Sequence, residues 1–138
     1  METLEQLAEM GSPGAGRAVG RHMPILRRCI GQRETPVLLA RCGRPEQATP
    51  RGRHQVLMLT KRRLVVTAES RLFRRLRLHL NCELRHLADV TWTPEPALGG
   101  IRLAATAVDG VREHFWVDAG DAARVHRMAG MFRQLFAA

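Results

Sequence analysis

Metal or nucleophile chemistry in this 138-residue chain would fall to its three cysteines and six histidines. His79-x2-Cys82-x3-His86 has the residue types of a zinc site. A strand through this segment would place His79 and Cys82 on opposite faces, because they are an odd number of residues apart. A fourth ligand is also missing, so no metal is expected, and Cys82 reads as a small core residue. Cys29 follows Arg27 and Arg28, a setting that favours a thiolate. No His/Asp pattern accompanies it, so a half-buried, unreactive thiol is expected. There is no GxSxG, HExxH or Gly-rich phosphate loop. Gly11–Gly16 lacks the lysine and the strand–helix setting of a phosphate loop and reads as a linker. Neither catalysis nor a cofactor is expected.

The stronger signal is basic charge. Lysine and arginine number 22 against 13 acidic residues, a formal net charge of +9. Residues 1–16 carry −3, residues 17–63 carry +10 and residues 64–138 carry +2. Such an excess favours anionic partners: lipid headgroups, acidic proteins or nucleic acid. All the basic residues but Lys61 are arginine, a bias that matches GC-rich coding in a bacterium. An odd number of widely spaced cysteines, with no CxxC pair, points to reduced thiols and a cytoplasmic protein. The N-terminus has no basic region followed by an apolar run, and no stretch has the roughly 20 apolar residues of a membrane span.

The elements that must carry these residues alternate in period. Residues 2–10 read as a short helix. Val19, Met23, Leu26 and Ile30 recur at helical spacing, with the firm helix beginning at Pro24 and stopping at Gly31. From Val37 the period becomes two. Strands are expected over 37–43, 54–60, 63–67, 76–82, 87–93, from 101, and 111–117. In the fourth, Leu76, Leu78, Leu80 and Cys82 should share one face, opposite Arg75, Arg77, His79 and Asn81. Pro94-Glu95-Pro96 should end the fifth. Asp109-Gly110 signals a two-residue hairpin. A last helix presents Val125, Met128, Ala129, Phe132, Leu135 and Phe136 on one face, with Asp118 as candidate N-cap and Asp121 in its first turn. That helix should plug the open side of the sheets, while the N-terminal helices cover Trp116.

Alternate loops of an antiparallel meander emerge at the same end. Arg44, Arg51 and Arg53 in the first loop therefore join Arg71, Arg74 and Arg75 in the third, with Lys61, Arg62 and Arg63 at the other end. Six guanidinium groups on one rim suit bidentate phosphate binding. Aromatic residues for base stacking are few, with Phe73 the only candidate near that rim.

The segment Leu59-Thr60-Lys61-Arg62-Arg63-Leu64-Val65-Val66-Thr67 resembles the Thr-x-Lys/Arg-Arg-Leu-Ile/Val-Val hairpin of the bacterial PH-like family, within the pleckstrin-homology/GRAM superfold. Leu87-Ala88-Asp89-Val90 is similar to its Ile/Leu-x-Asp-Ile/Val segment, and Gly31-Gln32-Arg33-Glu34 to the Gly-Glu before its first strand. The resemblance spans residues 31–137. It departs at Lys61, where the family often has Asp or Asn. Only Arg51 and Arg53 match the spaced basic signature of phosphoinositide-binding members.

The resemblance implies an α+β, mainly β, PH-like fold: two packed antiparallel sheets of about seven strands, capped by a C-terminal helix. Residues 1–34 would form a helical extension and 35–138 the domain. It also implies that the rim is the ligand-binding end. The expected protein is a non-catalytic binding module engaging acidic phospholipid or an acidic protein, peripheral at the inner face of the membrane. The rivals are a basic nucleic-acid-binding protein and a pure protein-interaction adaptor.

Overall fold

The computed structural model describes residues 15–31, 33–45, 55–70 and 75–136. The short helix expected at 2–10, and Gly11 to Gly14 of the expected linker, lie outside them. Helix α1 (Ala15–Cys29) precedes seven strands: β1 (Pro36–Gly43), β2 (Gln55–Thr60), β3 (Arg63–Glu69), β4 (Leu76–Glu83), β5 (Ala88–Glu95), β6 (Gly100–Thr106) and β7 (Arg112–Asp118). Helix α2 (Ala122–Phe136) follows. All strand pairings are antiparallel, in the order β4-β3-β2-β1-β7-β6-β5. Among the described residues, the four-strand and three-strand halves pair only at Cys42–Val117 and Gly43–Trp116. That short ladder lets them fold over one core: Leu38, Leu57, Leu64 and Val66 from one half, Ile101, Leu103 and Phe115 from the other, and Val125, Met128 and Phe132 from α2.

Helix α1 runs straight through Pro24 instead of starting there. Proline removes one N–H and crowds the carbonyl four residues back, which here belongs to Gly20. Gly20 and Pro24 are both exposed, so water can reach this part of the helix. The opposite face buries Met23 and Leu26 against Leu39, Val56, Met58 and Val65, a second core on the outer side of β1–β3. Each such side chain contributes about 1.5–3 kcal/mol on burial. The three strands are therefore apolar on both faces, not one.

His22 is buried in this second core, its Nδ1 sharing a 2.6 Å hydrogen bond with Thr67 Oγ1. Burial holds its pKa below the ordinary histidine value, with nearby Glu69 raising it and Arg21 lowering it. The unfolded chain therefore binds the proton more tightly. Stability from this group is complete above about pH 6.5 and falls as pH drops below that towards the folded-state value. Thermal melts between pH 7.5 and 5 should show a steeper loss for wild type than for His22→Gln. Parallel curves would mean that His22 carries no linkage.

Strand β4 does not keep one alternation. Val66 pairs with Leu80 but Thr67 pairs with Leu78, leaving His79 as an extra residue in a bulge. Leu80 packs on the central core, whereas Leu78, opposite Thr67, is exposed. A second irregularity in β5 lies between Ala88 and Thr91, where Asp89 takes a left-handed conformation (φ 50°). Aspartate tolerates that region better than most residues, and Arg112 Nη1 donates to the Asp89 carbonyl at 2.9 Å. Strand β5 continues through Pro94 to Glu95, which is allowed because it is an edge strand.

The β6–β7 connection turns at Asp109-Gly110 as expected, but it is wider than two residues. Gly110 N donates to Ala107 O, Ala107 N donates to Val111 O, and Gly110 has φ 84°. Helix α2 is capped by Asp121, whose Oδ1 accepts from Arg124 N at 2.9 Å. Asp118 instead ends β7, because Ala119 and Gly120 first turn the chain by donating to Gly99 O. Trp116 is buried, while α1 packs on β1–β4; the first N-terminal helix expected to help cover it lies outside the described residues. Its ring abuts Gly100, and Arg102 Cζ lies 5.9 Å from the ring centroid.

Candidate functional site

Continuous register from β1 to β4 fixes which basic residues share an end. Cys42 pairs with Gln55, Gln55 with Ala68, and Ala68 with Arg77. The end of β1, leading to exposed Arg44, therefore lies at the same end of the sheet as the start of β4, preceded by exposed Arg75, with β2 and β3 between them. Ser70 N donates to Arg75 O at this end. Arg51, Arg53, Arg71 and Arg74 lie outside the described residues. Of the six rim arginines, the structure places two, at the same end of the sheet but with two strands between them. Glu69 on the same end accepts from Arg21 of α1 at 3.3 Å, which also fixes the direction in which α1 crosses the sheet.

The other end is built by Thr60. Its hydroxyl accepts from Arg62 N at 3.1 Å and Arg63 N at 3.0 Å, closing the β2–β3 turn, and donates to Glu34 Oε2 at 3.3 Å. Those bonds explain threonine at this point of the hairpin. Glu34 Oε1 also takes a 2.7 Å ion pair from Arg63 Nη2, while Arg63 Nη1 donates to Cys29 O at 2.8 Å. The C-terminal end of α1, the β2–β3 turn and the segment before β1 are thereby joined. Leu84 N donates to Arg62 O, bringing in the 3-10 turn Leu84–His86. Exposed Arg28, Arg33, Lys61, Arg62, Arg85 and His86 gather here. Sequence parity already put Lys61, Arg62 and Arg63 at this end. It missed Arg28, Arg33 and Arg85, although the end of β4 must lie beside the β2–β3 turn and so identifies Arg85.

The expected opposition of His79 and Cys82 does not hold, because the bulge changes the phase between them. His79 turns to the core side, its ring meeting Phe115 edge to face at 6.2 Å and its Nε2 lying 3.3 Å from Glu113 Oε2. Among the described residues no group of three or more His, Cys, Asp or Glu is placed to hold a metal ion. All three cysteines are free, and burial pushes each thiol above its ordinary pKa. At Cys29 this outweighs the opposing influence of Arg63, so the thiolate suggested by its arginine neighbours is disfavoured.

Two antiparallel half-sheets around one core, closed by a C-terminal helix, are a PH-like fold. The chain is similar to the pleckstrin homology domain from Shewanella amazonensis SB2B, with a TM-score of 0.53 and 11% identity, over 86% of this chain and 98% of that one. No family model matches the chain, and no curated protein matches it in sequence. The likeness concerns the fold. No helix among the described residues is long and apolar enough to cross a membrane.

Proposed function

We propose that this PH-like chain is a non-catalytic binding module that engages acidic phospholipid through the arginine-bearing end of β1 and β4. The reading is supported by the register that puts the strand ends at Arg44 and Arg75 at one end of the sheet, with the ends of β2 and β3 between them. The intervening connections add Arg51, Arg53, Arg71 and Arg74. Arginine suits this role because its planar fork meets phosphate oxygens two at a time.

Changing Arg51, Arg53 and Arg74 to Glu should weaken co-sedimentation with anionic vesicles by about 1 kcal/mol per basic residue near the surface. Raised salt should mimic the change. Arg127 and Arg133, exposed on α2, are the control pair. They are preferable to Arg124, which lies beside the helix cap at Asp121. Loss of binding in the control to the same degree would leave only net charge acting. A wild-type protein that ignores anionic vesicles at low salt but shifts duplex DNA would replace this reading with nucleic-acid binding. Binding to neither would favour a protein-interaction adaptor.

A further inference from the structure

We infer that the end of the sheet opposite that rim is a second docking surface for an anionic phospholipid bilayer, built from Arg28, Arg33, Lys61, Arg62 and Arg85. The inference stands on different residues from the rim reading and does not depend on it. Four segments meet there: the C-terminal end of α1, the segment before β1, the β2–β3 turn and the 3-10 turn after β4. Arg63 joins the first three through Cys29 O and Glu34, and the Leu84 N to Arg62 O bond joins the fourth. Six cationic side chains, Arg63 included, share this end with Glu34 and Glu83, both already engaged, while Asp109 of the β6–β7 turn, near Cys82, accepts from Val111 N. Glu34 is held by Arg63 and Thr60, and Glu83 by Arg85 at 2.6 Å. The turn is closed by backbone N–H groups on Thr60, so the Lys61 and Arg62 side chains are not needed to hold it and are exposed.

A bilayer fits this surface better than nucleic acid does. The cations come from the ends of elements at one end of the sheet. No exposed Phe or Trp stands among the described residues there, and His86 is the one exposed ring, where base stacking would need several. A planar array of phosphates can meet all the segments at once. Strand β2 separates this end from the rim by about 20 Å at 3.3 Å per residue. The two ends face opposite ways along the strand, so with β2 along the membrane normal only one of them meets a given membrane. With both active, the protein would bridge two membranes.

The test uses the full chain with vesicles of phosphatidylcholine containing phosphatidylserine, at low salt, read by co-sedimentation and by vesicle clustering in light scattering. Lys61→Glu/Arg62→Glu should abolish clustering and lower the affinity of any residual binding about tenfold, with an unchanged melting temperature. Lys61→Gln/Arg62→Gln should act in the same direction, less strongly, which covers the case in which the reversal disturbs folding. If the rim variant loses clustering but Lys61→Glu/Arg62→Glu clusters and sediments like wild type, this inference is overturned and the rim reading stands. If the rim variant sediments undiminished and Lys61→Glu/Arg62→Glu does not, the second surface stands and the rim reading fails. Wild-type protein that does not sediment overturns both. So does a duplex DNA shift sensitive to Lys61→Glu/Arg62→Glu with vesicle binding unaffected by either variant.

Discussion

Phe132→Ala is expected to lower the unfolding free energy by about 3–5 kcal/mol. The ring is fully buried, at 0% exposure, and meets Phe136 at 5.6 Å. It belongs to the core that also takes Val125 and Met128 from α2, Ile101 and Leu103 from β6, and Leu57 and Leu59 from β2. Alanine is a better helix former than phenylalanine, so α2 itself is not weakened. The loss comes from apolar surface returned to water and from the cavity left between the two halves. Urea unfolding should show a lower midpoint with an unchanged slope. Gln134→Ala, at an exposed position on the same helix, should stay within about 0.5 kcal/mol of wild type. Equal stability for Phe132→Ala and wild type would show that α2 does not close the core between the two half-sheets.

Gly100→Ala is expected to cost about 1–3 kcal/mol, or more if the backbone cannot shift. A Cβ at this position would overlap the Trp116 ring and stand 2.7 Å from the Val117 carbonyl oxygen. Gly100 and Trp116 are both buried, and Gly100 pairs with Asp118 at the start of β6, so neither strand has open space to yield into. The cause can be isolated by a double-mutant cycle with Trp116→Phe, which removes the part of the indole that the new methyl meets. Gly100→Ala should cost less in the Trp116→Phe background than in wild type. An equal cost in both backgrounds would place the conflict with the Val117 backbone instead of the ring.

Much of this architecture can be read along the chain. Strand periods, the helical spacing of Val125, Met128 and Phe132, and the turn at Asp109-Gly110 appear at their expected positions. The reading fails where a contact distant in sequence sets a local choice. The run Leu57-Met58-Leu59 is buried on both faces because α1 lies on the side away from the central core. Helix α1 continues past Pro24 because tertiary contacts at Met23 and Leu26 outweigh a single lost hydrogen bond on its wet face. The N-cap falls on Asp121 because Gly99 holds the preceding turn from another hairpin.

The candidate surfaces divide in the same way. Antiparallel order alone separates Arg44 and Arg75 from Lys61, Arg62 and Arg63, since each strand reverses the one before it. Nothing local joins Arg28 and Arg33 to that second group. They are brought there by Arg63, whose guanidinium reaches the last carbonyl of α1 and the Glu34 carboxylate across 34 and 29 residues of chain. The bulge at His79 likewise has no local cause, because it reflects the offset between β3 and β4. Periodicity is a property of neighbouring residues and is written in their order. Register, bulges and the surfaces made where elements end depend on partners far apart in the chain, and take form only when the core closes.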